Sequence, residues 1–361
     1  MEYRNCLLII FIFAGMLGLY SYSAVRQSAI DNNPRYWERR NGMISKVIFQ
    51  KNITESSYSL NTLRELDSSE KIDCNETCQI EVQKYRRILL RDQCASLGYN
   101  YSFDYQLLID NSFLRKLNHF IVLDKYRVIY SYIPKAGCTN WKRVFLVLHG
   151  VVNTASELEQ HQTHELTDKY IRKLSSYTVE EAARRLQTYK IFTFVRNPFV
   201  RLLSAYKDKI EKPTGRNLRY RKEWSHRIPI NMADGITQGP DTFVQYVKYL
   251  SHYTVINEHW KDMHKLSLPC HISFDFIGKL ETLKRDTEFV MYNILETKPE
   301  IVTFRSSTNP TNSNQLVENY LSKLSEKETD ELFDQMKLDF RLFGYEMPQT
   351  FRNIQNESYR T

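Results

Sequence analysis

The chain has 361 residues, of which 42% are hydrophobic and 13% aromatic. This composition predicts a globular protein with a substantial core and excludes an intrinsically disordered chain, which would be poorer in both classes. The formal net charge of +8 and the pI near 9.0 favour an anionic partner such as nucleic acid, a nucleotide, acidic lipid or acidic polysaccharide. Charge alone does not choose among these partners.

The N-terminal segment is predicted to hold the protein in a membrane. Residues 1–5 form a short cytoplasmic tail, and residues 6–24 form a hydrophobic run that ends just before Arg26. A helix needs about 20 apolar residues to cross a bilayer, and this run barely qualifies as a transmembrane signal-anchor. Ser21 and Ser23 could precede a cleavage site, so a cleaved signal peptide stays open as the alternative. Both alternatives disfavour a cytosolic protein.

The next residues predict a spacer followed by a lumenal domain. Residues 25–73 are polar and have no sustained apolar period, which is typical of a stem, whereas residues 74–361 have a globular pattern. Export is supported by N-x-Ser/Thr glycosylation sequons at Asn52, Asn75, Asn100 and Asn356. A lumenal chain does not meet nucleic acid, and no nucleic-acid-binding fingerprint is present, so nucleic acid is not an expected partner.

The cysteines restrict the disulfide chemistry without fixing it. Five of them follow the predicted anchor: Cys74, Cys78, Cys94, Cys138 and Cys270. Because this number is odd, at least one thiol stays free or pairs between chains in an oxidising compartment. Cys74 and Cys78 are not expected to bind zinc, because no second ligand pair follows at zinc-finger spacing. The pairing stays open.

Two segments share a strand–loop–helix layout. Residues 127–133 predict a buried strand, residues 134–140 a loop of small residues, and apolar residues from Trp141 onward recur at helical spacing. Residues 190–195 predict a second strand, after which Asn197 suits a helix N-cap and Pro198 the first helical position. Such units predict an α/β fold with a parallel sheet flanked by helices. Residues 243–250 and 317–343 predict further helices, and residues 271–277 a further strand.

The first loop has the features of a phosphate-binding turn. It consists of Pro134, Lys135, Ala136, Gly137, Cys138, Thr139 and Asn140. Small residues let backbone N–H groups approach an anion, the next helix offers its positive N-terminal end, and Lys135 adds a full charge. The alternative is an ordinary strand-to-helix turn with a surface lysine. The signature G-x-x-x-x-G-K-[ST] is absent, which disfavours a conventional nucleoside triphosphatase.

The second turn offers an arginine and a serine. Arg196 follows the strand at its carboxyl end, where open α/β sheets bind ligands, and its guanidinium could fork onto a phosphate. Ser204 lies two helical turns further on and could add a hydroxyl. For either residue alone, the alternative is an arginine paired with a surface acid and a solvated serine.

Taken together, PKAGCTNWKR and FVRNPFVRLLSAY resemble the two donor-binding motifs of Golgi carbohydrate sulfotransferases of sulfotransferase family 2. The nearest group is similar to the chondroitin, dermatan and N-acetylgalactosamine 4-O-sulfotransferases. The resemblance covers most of residues 125–345 and extends through these further segments: Asn257–Trp260, Pro269–Cys270, Asp275–Thr282, Lys337–Phe340 and Phe343–Tyr345. It implies a P-loop-like α/β domain with a central parallel sheet, carried by a single-pass type II Golgi membrane protein with a lumenal catalytic domain.

The resemblance also implies roles for individual residues. The loop Pro134–Asn140, with Lys135 at its centre, is expected to hold the 5′-phosphosulfate of 3′-phosphoadenylyl sulfate. Arg196 and Ser204 are expected to hold its 3′-phosphate. The expected acceptor is a glycan of the glycosaminoglycan type, and a homodimer stays open as a further partner. No metal is expected, because the sulfuryl group carries a single negative charge.

The acceptor hydroxyl needs a base, and histidine suits that role because it has a neutral form at Golgi pH. His161 and His164 lie between the two loops, where related sulfotransferases place a histidine, and the position favours His164. The alternative is a surface histidine on a polar helix. Glu258 and His259 are a second candidate pair, although the neighbouring Trp260 favours a packing role.

A basic stretch and two rival functions complete the predictions. The stretch consists of Lys212, Arg216, Arg219, Arg221, Lys222 and Arg227, and it is either a solvated face or a groove for an acidic glycan. The first rival is a Golgi glycosyltransferase, although the Asp-x-Asp motif that many of these use is absent. The second rival is a glycan-binding protein that keeps the fold and lacks activity.

Overall fold

The structure is a computed structural model that describes residues 58–99, 111–211, 257–297 and 314–346, together with residues 108, 243, 244, 246, 247 and 250. The predicted tail, the anchor at 6–24, most of the stem, the basic stretch at 212–227 and the sequons at Asn52, Asn100 and Asn356 lie outside these residues. Within them, no helix combines the length and the apolar character that a bilayer crossing requires.

The core of the fold is a mixed sheet of four strands in the order β1 (Phe120–Leu123), β2 (Val128–Ser131), β3 (Lys190–Val195) and β4 (Phe276–Lys279). Strands β2, β3 and β4 are parallel, as predicted, whereas β1 pairs antiparallel with β2. The expectation of a purely parallel sheet is therefore corrected at this edge. A short turn joins β1 to β2, and a parallel pair would need a crossover of about a dozen residues.

Helices cover both faces of the sheet. In chain order they are α1 (Leu60–Ser68), α2 (Glu76–Ser96), α3 (Asn111–Lys116), α4 (Cys138–His149), α5 (Gln160–Tyr170), α6 (Val179–Thr188), α7 (Pro198–Tyr206), α8 (Met263–Ser267), α9 (Leu283–Asn293), α10 (Asn314–Leu321) and α11 (Glu326–Leu342). A π-helical turn, Lys207–Glu211, extends α7.

Side chains alternate between the two faces along the central strands. Ile129, Ile191 and Ile277 pack into the cluster on one face. On the other face, Tyr130 stacks on Phe192 with ring centroids 4.8 Å apart. Trp141 of α4 meets Phe192 at 4.9 Å, which seats the first loop's helix on that face. Parallel strands bring the ends of β2 and β3 to one edge of the sheet, so the two predicted turns become neighbours.

Three predicted boundaries shift. The strand predicted at 271–277 begins only at Phe276. The helix predicted at 317–343 is split into α10 and α11, because Ser325 caps α11 by accepting a hydrogen bond from the Glu328 amide. Helix α1 lies inside the range predicted as stem, yet Leu63 and Leu66 are buried and residues from Ser56 onward belong to the same compact unit.

Two disulfides and one free thiol account for the five cysteines from Cys74 onward. Cys74 pairs with Cys78, and Cys94 of α2 pairs with Cys270 ahead of β4. Cys138 carries a free, buried thiol, in agreement with the odd number of cysteines. Asn75, the one predicted glycosylation site among the described residues, is exposed at the start of α2, where its side chain accepts a hydrogen bond from the Cys78 amide at 3.0 Å.

Candidate functional site

The first loop contains two residues in the left-handed backbone region. Lys135 and Gly137 both have positive φ angles, 69° and 81°, and Gly137 precedes the first residue of α4. A left-handed conformation costs a non-glycine residue about 1 to 2 kcal/mol, so the Lys135 backbone is held there by its surroundings. A Cβ atom added at Gly137 would lie 3.3 Å from the Leu280 side chain, which leaves little room for a larger residue. Gly137 thereby serves as the N-cap residue of α4 in a conformation that favours glycine.

The second turn contacts the first. The Arg196 guanidinium donates a hydrogen bond from Nη1 to the carbonyl of Lys135 at 3.2 Å. Arg196 is only 5% exposed, and this burial lowers its pKa to about 10, so the side chain remains a cation at neutral pH. The prediction that Asn197 and Pro198 start a helix is confirmed, because the Asn197 side chain accepts hydrogen bonds from the amides of Phe199 and Val200.

Ser204 and Arg201 lie on α7, and both are more enclosed than the sequence suggested. Ser204 is 9% exposed. Arg201 is 1% exposed, and its guanidinium donates to the carbonyls of Pro134 and Lys261 at 2.9 Å each and of Glu258 at 3.1 Å. This arginine ties the first loop to the segment at 257–262. Sequence reasoning missed it, although a single charge in the apolar run PFVRLLSAY is typical of a buried, fully bonded arginine.

Lys135 is paired with a carboxylate that the sequence did not point to. Its Nζ lies 3.0 Å from Oδ2 of Asp208, in the π-helical turn, and Lys209 Nζ lies 3.1 Å from the same oxygen. Burial lowers the pKa of Lys135 below its usual value, and Asp208 opposes that effect. The two lysines and one carboxylate form a compact charged group beside the loop.

His164 of α5 is the predicted histidine that reaches the loop. Its Nε2 lies 3.4 Å from the Thr139 hydroxyl, and its Nδ1 lies 3.1 Å from Lys142 Nζ. Burial, with the nearby Lys142 charge, lowers the pKa of His164 to about 4, so the ring is neutral at physiological pH. His161, by contrast, is exposed on the same helix.

His259 lies in the segment at 257–262, which Arg201 joins to the first loop. Asn257 Oδ1 accepts hydrogen bonds from the His259 backbone amide at 3.0 Å and from Nδ1 at 2.9 Å. An oxygen that already accepts from an amide requires Nδ1 to carry the ring proton, so Nε2 is the acceptor atom of this histidine. Burial and the charges of Lys209 and Lys135 lower its pKa to about 2. The neighbouring Trp260 is buried, in agreement with the predicted packing role.

No group of three or more His, Cys, Asp or Glu side chains that could hold a metal ion occurs in the part of the chain that the structure describes.

Comparison with known proteins places the site in a family. A sequence profile described as the sulfotransferase family matches residues 118–346, which include both turns, the π-helical turn and His164. The chain belongs to the sulfotransferase family. Carbohydrate sulfotransferase 9 of Homo sapiens is 32% identical over 281 residues, which are 74% of this chain and 61% of that protein.

Two other relatives have similar sequence identities. Carbohydrate sulfotransferase 11 of Mus musculus is 32% identical over 244 residues, which are 64% of this chain and 68% of that protein. Carbohydrate sulfotransferase 8 of Mus musculus is 30% identical over 282 residues, which are 74% of this chain and 64% of that protein. No solved structure gives a significant match.

Residues in the remaining motifs of this sulfotransferase-family chain form hydrogen bonds to the second turn and to the start of α8. Glu281, which follows β4, accepts hydrogen bonds from the Asn197 amide at 2.8 Å and from the Tyr345 hydroxyl at 2.9 Å. Asp339 of α11 accepts from the Met263 amide at 2.6 Å and the His264 amide at 2.9 Å, and thereby fixes the start of α8. These contacts give the motifs at Asp275–Thr282 and Lys337–Tyr345 a positioning role.

Proposed function

We propose that the protein transfers a sulfuryl group from 3′-phosphoadenylyl sulfate to a sugar hydroxyl, at the 4-O position of N-acetylgalactosamine in chondroitin, dermatan or a related glycan. The observation that carries the proposal is the contact between the two turns, in which Arg196 donates to the Lys135 carbonyl. Two cationic turns at adjacent strand ends suit a donor with phosphate at both ends of its ribose. The loop Pro134–Asn140 would hold the 5′ end, and Arg196 with Ser204 the 3′-phosphate.

The residues fit a charge-stabilised displacement. When bound, the donor supplies the sulfuryl group and a phosphate leaving group: the bond from sulfur to the phosphate oxygen breaks as the sugar oxygen bonds to sulfur. Negative charge grows on the phosphate oxygen, and Lys135 and the amides at the start of α4 are placed to stabilise it. The hydroxyl proton passes to a base on the protein.

His164 is the proposed base. Accepting a proton at Nε2 requires that Nδ1 carry the ring proton, so the Lys142 ammonium, 3.1 Å from Nδ1, must turn away from that atom when the donor binds. Anionic phosphates in the loop would raise the pKa of His164 from its low value and make it a stronger acceptor. His259, with its acceptor at Nε2, is the second candidate.

The proposed location is the Golgi membrane, with residues 6–24 as a type II anchor, the polar residues between this anchor and α1 as a stem, and the catalytic domain in the lumen. The proposal draws on the hydrophobic run, the sequons and the two disulfides, which suit an oxidising compartment. The acceptor is a glycan, for which the basic stretch at 212–227 offers cationic side chains.

Transfer of labelled sulfate tests the function. The full chain, incubated with sulfur-labelled donor and desulfated chondroitin, is expected to label the glycan without added metal. Lys135→Ala and Arg196→Ala should each lower turnover about a hundredfold or more, because each removes a charge from the donor site. Lys327→Ala, on the exposed surface of α11, is the matched control and should leave turnover unchanged. Near-normal rates in both site variants, or transfer only from a sugar nucleotide, would contradict the proposal.

A second experiment tests the base. His164→Ala should lower kcat by about a hundredfold or more while the KM for the donor changes little, because a general base acts in the chemical step. His161→Ala, on the exposed side of the same helix, is the control. Undiminished turnover in His164→Ala with a large loss in His259→Ala would assign the base to His259.

A further inference from the structure

The π-helical turn that follows α7 concentrates charge beside the first loop. Lys207, Asp208, Lys209 and Glu211 all lie in this single turn, and Lys209 and Glu211 are 4% and 3% exposed. Lys207 pairs with Glu211 at 3.4 Å, whereas Asp208 pairs with both Lys135 and Lys209. π-turns inside helices occur frequently at functional sites, and this turn rotates Asp208 toward the loop.

Lys135 is a largely enclosed lysine whose side chain is paired with a carboxylate. Its side chain is 19% exposed, so it has lost most of the water that would stabilise an ammonium ion. The groups around it come from several elements: Asp208 and Lys209 from the π-turn, Cys138 from α4, His259 from the segment before α8, and Arg196 from the second turn. Asp208 is a carboxylate that contacts Lys135, whereas Lys209 disfavours a positive charge there.

We propose that Asp208 is a positioning residue that keeps the Lys135 side chain protonated and aims it into the phosphate-binding loop. The inference rests on the proposed function, in which Lys135 stabilises charge on the leaving phosphate. An ammonium group has three N–H donors. One of them meets Asp208 at 3.0 Å, which fixes the position of Nζ and leaves two donors for an anion in the loop.

The same geometry gives Lys209 a supporting role. Because Lys209 also contacts Asp208 at 3.1 Å, the carboxylate carries two cations and stays ionised near neutral pH. Both lysines lower the pKa of Asp208 against the opposing effect of burial. A neutral amide at this position would leave two neighbouring ammonium groups in a shielded site, and the less costly outcome is that Lys135 loses its proton.

The experiment follows kcat/KM for the donor against pH, because this quantity reports groups of the free enzyme. Activity requires protonated Lys135 and is lost as pH rises through its pKa. Asp208→Asn removes the charge that raises this pKa, so the alkaline limb is expected to shift by about 1 to 3 pH units toward lower pH. Asp208→Glu keeps a carboxylate and should therefore have an alkaline limb close to that of the wild type. Asp334→Asn, an exposed partner of Lys337 on α11, should leave the profile unchanged.

Binding provides a readout that does not depend on turnover. Calorimetry with adenosine 3′,5′-bisphosphate should show Asp208→Asn losing affinity between about pH 7 and pH 9 while the wild type loses little. Asp208→Ser, which is smaller, is the second variant if the amide disturbs folding. A profile and an affinity that coincide with those of the wild type would overturn the role of Asp208 alone. A wild type that neither binds the bisphosphate nor transfers sulfate would overturn the proposed function itself.

Discussion

Glu281 joins the second turn to the C-terminal part of the domain. One carboxylate oxygen accepts from the Asn197 amide, next to Arg196, and the other accepts from the Tyr345 hydroxyl. Its charge also lies close enough to Arg196 to favour the cationic form of the guanidinium. Glu281, which contacts no proposed ligand, can therefore influence both the position and the charge of Arg196, which is proposed to bind the donor.

Glu281→Gln is expected to weaken binding of adenosine 3′,5′-bisphosphate by about five- to tenfold. The amide keeps only one acceptor oxygen and loses the charge beside Arg196, and a hydrogen bond contributes about 0.5 to 1.5 kcal/mol. Calorimetry measures the affinity, and turnover at saturating donor should change little. Tyr345→Phe is the matched control, because it removes only the C-terminal partner. Equal losses in both variants would mean that the effect passes through the C-terminal segment rather than through Asn197.

At the level of residues, the sequence predicted the positions of side chains that directly follow a strand. Lys135 and Arg196 follow β2 and β3, and parallel pairing alone brings them to one edge. Asp208 and Arg201 could not be predicted in the same way, because the loop residues that they contact, Lys135 and Pro134, lie more than fifty residues away in sequence and are brought close by tertiary packing. The sequence favoured His164 over His161 as the candidate base, whereas it did not predict the contact between His164 and Lys142.

At the level of elements, residue pattern and capping predicted β2, β3 and α7. Strand β3 and the Asn197 cap match the predicted residues, because a short run rich in β-branched and aromatic residues and an N-cap before proline are local features. The sequence did not predict strand β1 as a neighbour of β2. Strand β1 has only four residues, and the turn that joins it to β2 has no pattern that distinguishes it from a loop. The break before α11 was visible in principle, because Ser325 and Glu328 form a capping box.

At the level of the whole molecule, a buried ionic network fastens α1 to the catalytic domain. Asp67 accepts from Arg86 Nε at 2.6 Å and from Lys279 Nζ at 2.7 Å, and Arg86 also pairs with Asp286 at 2.6 Å. Removing one partner from such a network leaves a buried charge uncompensated, at a cost of about 3 to 5 kcal/mol. The folded unit therefore needs the residues of α1, and the experiments proposed above use a chain that retains them.

Buried histidines make the stability of the whole molecule depend on pH. Burial lowers the pKa values of His119 and His164 to about 4 and that of His259 to about 2, below the ordinary value of 6.5. The unfolded chain thus binds more protons than the folded chain below about pH 6.5, and stability is lost as pH falls toward 4.

The melting temperature is therefore expected to fall steadily between about pH 7 and pH 5. At about pH 5, His119 alone should lower the free energy of unfolding by about 2 kcal/mol, since each pKa unit corresponds to about 1.4 kcal/mol. Thermal melts of the wild type, His119→Gln and His161→Ala at several pH values measure this effect. His119→Gln should show a shallower dependence because one buried titrating ring is gone, whereas exposed His161 should make no difference. A wild-type melting temperature that stays constant over this range would contradict the burial of His119, His164 and His259 in their neutral forms.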